Sequence, residues 1–139
     1  MDEVQARFKR IQKRMKDPET VLDIAAAKGF KDVMDHFRKE EGPGGGWPEW
    51  QKTRKDKKGS TVRKTKRGGS KLLQDTGRLR QSTRFRVLKE TAEVFNQVKY
   101  AATHNFGDPK RNIKKRKFMW LSDKAIDSIV KTFARFFTK

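Results

Sequence analysis

The chain contains no cysteine, one tyrosine, two histidines and four prolines among its 139 residues. Without cysteine there is no disulfide, no thiolate nucleophile and no cysteine-based metal site, a composition that fits a reducing cytosol. His36 and His104 lack further ligands at metal spacing, so neither a metal nor another cofactor is expected. Acidic residues are scarce, 17 against 36 Lys and Arg, for a formal charge of +19. Such an excess repels itself unless something anionic lies nearby, so a polyanionic or acidic partner is expected. No apolar run approaches the length of a membrane span, and Asp2, Glu3, Arg7, Lys9 and Arg10 interrupt any signal-type run at the start. The expectation is a protein made and kept in the cytoplasm of its cell.

Large apolar residues are also limited. Leu, Ile, Val and Phe number 29 of 139, about 21%, just above the level at which a strongly charged chain stays unfolded. Residues 51–71 contribute only Val62 to that total, so the remainder holds enough for a modest core. The length suits one domain over 1–139, arranged as a helical region 1–40, a Gly/Pro turn and basic arm 42–71, and a body with a hairpin and closing helix over 72–139.

Val4, Phe8, Ile11 and Met15 recur at helical spacing between basic residues, which predicts a first amphipathic helix. Asp17-Pro18 resembles an N-cap with proline in the first turn, and opens a second. Val21, Leu22, Ala25, Val33, Met34 and Phe37 give it a face to bury, although Gly29 weakens its middle by about 1 kcal/mol relative to alanine. It should end near Lys39, since Gly42-Pro43-Gly44-Gly45-Gly46 cannot continue a helix. Trp47 and Trp50 follow and are expected to pin the loop. His36 is expected on a solvated side of the second helix, and His104 hydrogen-bonded within a loop.

The arm carries Lys52, Arg54, Lys55, Lys57, Lys58, Arg63, Lys64, Lys66, Arg67 and Lys71 with no hydrophobic period. Three readings stay open for it: contact with a protein neighbour, DNA in a conduit, and simple solvation. It has no aromatic residue of its own, so base stacking of the kind a sequence reader uses is not evident. Beyond it, Leu72, Leu73 and Leu79 suggest a short helix or turn, and the alternation of Thr83, Phe85 and Val87 argues for a strand. Lys89-Glu90-Thr91 reads as a turn and Val94 to Val98 as the return strand. His104 to Pro109 reads as a loop. A second basic cluster includes Lys114, Lys115 and Arg116, after which Ser122 or Asp123 caps a C-terminal amphipathic helix through Ile126, Ile129, Val130, Phe133, Phe136 and Phe137. The fold class is therefore α+β, a small antiparallel sheet packed by N- and C-terminal helices, with a long basic loop.

Asp75-Thr76-Gly77 is the triplet of aspartic proteases, where two copies pair their carboxylates. Here Arg78-Leu79-Arg80 follows instead of a small, neutral continuation. The simpler reading is that Asp75 or Thr76 caps the turn before Leu79, and no catalytic residue is assigned.

Several segments, in order, resemble the phage virion morphogenesis family, the tail-completion proteins of Mu-like and related long-tailed phages. They are Gly42-Pro43 with Trp47-Pro48, a basic stretch with Thr53 near its start, the Leu-Leu-x-Asp-Thr-Gly-x-Leu segment from Leu72 to Leu79, and a hairpin. The block Tyr100-Ala101-x-x-His104-x-Phe106-Gly107 is the most distinctive, and Ile113, Arg116 and Phe118 match the next motif, with Lys114 where the family has proline and Met119 where it has leucine. The resemblance spans roughly residues 30–135. It implies a non-enzymatic structural protein of the virion, forming a hexameric ring at the tail end or in the neck. Its partners would be further copies of itself, tail-tube and neck or head-completion proteins, and packaged DNA in the channel. Under it Gly77 and Gly107 serve backbone bends, Tyr100 and Phe118 packing, and Arg116 an interface ion pair. Basic residues of the arm, with Lys114, Lys115 and Arg116, would touch DNA or a partner. The alternative is a basic accessory protein that binds nucleic acid.

Overall fold

The computed structural model describes residues 2–48, 71–74 and 76–138. The basic arm from Lys52 to Arg67, Trp50 and Asp75 therefore lie outside the described residues. The elements are α1 (Glu3–Lys16), α2 (Glu19–Lys39), β1 (Glu41–Gly42), β2 (Gly45–Gly46), α3 (Arg78–Gln81), β3 (Thr83–Leu88), β4 (Thr91–Asn96), α4 (Ala101–Phe106), a 3-10 turn (Pro109–Arg111) and α5 (Asp123–Thr138). The fold is α+β, with its strands in two small antiparallel two-stranded sheets, β1–β2 and β3–β4. These elements fall into two compact units, one of residues 1–32, 84–95 and 121–139, the other of 33–83 and 96–120.

In the first unit, Val21, Leu22, Ala25 and Ala26 form the buried side of α2. Gly29 has a packing reason: a methyl group there would already touch Val94 and Leu121 at 3.4 Å. Phe30 meets Phe85 with ring centroids 5.5 Å apart, and Arg86 pairs with Glu93 at 2.9 Å across the β3–β4 hairpin. Asp32 accepts from both the backbone N–H and the hydroxyl of Ser122, each at 2.7 Å. The same hydroxyl accepts from Ala125 N–H, so Ser122 caps α5 and is itself held by α2. Helix α1 packs on α5. Arg14 donates to the carbonyl of Phe136 and lies over its ring, and Arg7 donates to that of Thr138. Cations thus sit at the carbonyl end of α5, where the helix dipole favours them.

In the second unit, α2 ends at Glu40 in the left-handed region, and β1 pairs with β2 in the register Glu41↔Gly46 and Gly42↔Gly45. Three expectations need correction here. His36 is not on a solvated side but 2% exposed, stacked on Trp120 at 4.3 Å, a pairing across 84 residues that helical periodicity cannot reveal. His104, Asn105 and Phe106, expected to open the loop that runs to Pro109, instead end the short helix α4, stabilised by tertiary contacts that override its weak helix-forming composition. Strand β4 runs Thr91–Asn96, so Thr91 belongs to the strand and not the turn, and the return strand lies earlier than the expected Val94 to Val98.

Candidate functional site

The motif residues converge in the second unit on two fully buried rings. Phe118 and Phe37 are 0% exposed, with centroids 5.0 Å apart, and Trp47 meets Phe37 edge-on at 5.8 Å. Trp47 donates its indole N–H to the carbonyl of Lys117 at 3.1 Å, satisfying the one polar atom its burial would otherwise strand. Asn105 on α4 accepts from the backbone N–H groups of both Phe118 and Met119, at 3.1 and 3.0 Å. Sequence reading passed over Asn105, whose only signal was its place between His104 and Phe106.

Arg116 is 2% exposed; its backbone N–H donates to His104 O and its Nε to Pro48 O, both at 2.8 Å. Burial lowers its pKa, and its Nε is directed at the Pro48 carbonyl within the subunit. Its sequence neighbours Lys114 and Lys115 are exposed. His104 stands edge-on to Tyr100. Burial, and then the positive charges of Arg116 and Arg111, hold its pKa below the usual histidine value. Its Nδ1 is buried without a hydrogen-bond partner among the described residues.

Gly107 sits at φ +80°, and a Cβ there would stand 2.9 Å from the backbone nitrogen of Lys115, so only glycine fits. Asp108 and Ile113 exchange both backbone hydrogen bonds at 2.8 Å. The Asp108 carboxylate accepts from Arg111, which holds its pKa below the ordinary aspartate value. Phe106, in contrast, points outward at 69% exposed. Gly77 lies at φ +72° before α3, and Thr76 Oγ1 accepts from Arg78 N–H at 3.3 Å.

The first unit offers open surfaces. Neither α1 nor α5 has a buried residue, and Val4, Phe8, Met15, Ile126 and Val130 are all exposed. A cleft of about 520 Å³ runs along the polar side of α5, where Lys124, Lys131 and Arg135 outnumber Asp127. Lys28 closes it, its ammonium donating to the carbonyl and hydroxyl of Ser128 and the hydroxyl of Thr132. Among the described residues no group of three or more His, Cys, Asp or Glu could hold a metal ion, and no helix is long and apolar enough to cross a membrane.

A family model of the phage virion morphogenesis family matches residues 1–135. The chain belongs to that family. The match takes in α1 as well, which the order of sequence motifs had left aside. No curated protein and no solved structure matches. As a virion morphogenesis protein its role is structural, in assembly of the particle. The geometry accords with that role, because the side chains of the motif hold backbone to backbone: Trp47 to Lys117, Asn105 to Phe118 and Met119, Arg116 to Pro48.

Proposed function

We propose that this virion morphogenesis protein forms a hexameric ring at the end of the tail or in the neck, completes the tail and joins it to the head. The observation that carries the reading is the family match over residues 1–135. The apolar side chains that a lone subunit leaves bare on α1, α5 and at Phe106 support it, since buried apolar area is the main drive for association. In this role the protein docks on the last ring of the polymerised tube, ends its growth and presents a new surface to the head side. Lys114 and Lys115, with the basic residues 52–67, face acidic partner loops or packaged DNA, which accounts for +19 without sequence recognition.

Light scattering and negative-stain images of the purified chain test this: rings are expected, and a monomer at every concentration overturns it. A phage lacking the gene should accumulate filled heads and unjoined tails. The high positive charge also favours a second reading, a nucleic-acid-binding accessory protein. Salt separates the two. Binding through many phosphates falls steeply as salt rises, whereas a ring held by apolar contacts persists.

A further inference from the structure

Two exposed faces of the first unit are complementary. Helix α1 carries six Lys and Arg. Its apolar residues Val4, Phe8, Ile11 and Met15 share one side of the helix, and Val4, Phe8 and Met15 are 58–64% exposed. Lys9 and Lys16 lie about 100° around the helix from Phe8 and Met15, and Lys13 lies on the side opposite the stripe. Arg7 and Arg14 are engaged by α5, but these three lysines have no ion pair or side-chain hydrogen bond among the described residues.

Residues 17–27 have the opposite character. In a chain with twice as many basic as acidic residues, they contain Asp17, Glu19 and Asp23 and neither Lys nor Arg. Glu19 and Asp23, one turn apart, are exposed on α2 away from the buried Val21, Leu22, Ala25 and Ala26, beside exposed Ile24 and Ala27. Among the described residues Asp17, Glu19 and Asp23 have no ion pair or side-chain hydrogen bond.

We propose that α1 of one copy docks on the outward face of α2, residues 19–27, of a second copy. Phe8 and Met15 lie against Ile24 and Ala27, and Lys9 and Lys16 lie against Glu19 and Asp23. A second copy is the occupant that satisfies both faces at once. A nucleic acid would meet the lysines but be repelled by Glu19 and Asp23 and leave the apolar stripe in water. A foreign acidic protein would cover α1 and leave the α2 face unpaired. Because the two faces differ, each subunit gives one and receives one, a head-to-tail contact that closes into a ring when its rotation closes. The attraction acts within a Debye length, about 8 Å at physiological salt, so close pairs are felt while the distant excess of positive charge is screened.

This inference rests on the ring reading and names its contact. The test is a charge swap on the full chain. Glu19→Lys/Asp23→Lys and Lys9→Glu/Lys16→Glu, each alone, should weaken assembly at least about tenfold by analytical ultracentrifugation, with helical circular dichroism unchanged because every altered position is exposed. Mixing the two variants should restore assembly, since each then supplies the charge the other lacks. If both variants assemble like the unaltered chain, the inference is overturned and the ring reading stands. If each is disrupted but the mixture does not recover, the pairing of α1 with α2 is overturned. An unaltered chain that never exceeds a monomer overturns both.

Discussion

Helix α4 with its flanking loop and helix α1 treat apolar side chains in opposite ways. Around α4, Phe118 is wholly enclosed, Asn105 receives two backbone donors, and Arg116 and Trp47 are each buried with a carbonyl partner. Along α1 nothing is buried, Phe8 and Met15 stand in water, and three lysines have no partner among the described residues. The residues that mark the family thus belong largely to an internally satisfied scaffold. The residues open to a neighbour lie in a helix whose motif content is low. In an assembly protein these are different tasks: one set must specify a rigid subunit, the other must match a partner, and only the first is determined within a single chain.

Substitutions can break this contrast, and the largest effect is expected where enclosure is complete. Phe118→Ala should lower unfolding free energy by about 3–5 kcal/mol, the range for buried phenylalanine, read by chemical denaturation; a loss under 1 kcal/mol would mean the two-ring core is not cohesive. Gly107→Ala comes next, at about 1–3 kcal/mol, since it forces both a left-handed backbone and a contact with Lys115 N. Its thermal midpoint should fall clearly.

The pH response sharpens the comparison further. His104 has its pKa lowered by burial and then by Arg116 and Arg111. The unfolded chain therefore binds the proton more readily than the folded one. Stability should be full above the ordinary histidine value near 6.5 and decline as pH drops below it, levelling only once the folded-state pKa is passed. Melting curves between neutral and mildly acid pH should flatten in His104→Asn; an unchanged slope would place the dependence elsewhere. The smallest effect on stability belongs to Phe8→Ser, within about 0.5 kcal/mol for the isolated subunit, because the ring is already in solvent. Its consequence should appear in the mass of the assembled particle.

Much of this was legible beforehand. The stripe of α1, the start of α2 just past Pro18, its end at Lys39 and the closing helix capped by Ser122 are all local signals, although Asp17, expected to cap α2, is instead the C-cap residue of α1. The β3–β4 hairpin was readable for the same reason, although its return strand runs Thr91–Asn96 where Val94 to Val98 was expected. What could not be read depends on partners distant in the chain. His36 has a polar side chain and was placed in solvent, yet Trp120 covers it. Arg116 looks like a surface cation in a run with Lys114 and Lys115, and only its contact with Pro48 reveals burial. The pairing of β1 with β2 is carried by glycines, which leave no side-chain pattern to detect. Gly29 looked like a defect until Val94 and Leu121 appeared against it.

The chain departs toward its basic stretch from Pro48 and comes back at Lys71. Both gateposts are fastened to the same place: Trp47 and Pro48 through Lys117 and Arg116, Leu72 through the carboxylate of Glu40, and Gln74 through the carbonyl of Phe37. The segments on either side of that stretch are thus each held by their own hydrogen bonds to the same body of the subunit. Where the chain leaves and re-enters the described body, its backbone is therefore coupled to the packing around Phe37 and Phe118 and not to a loose end of α2.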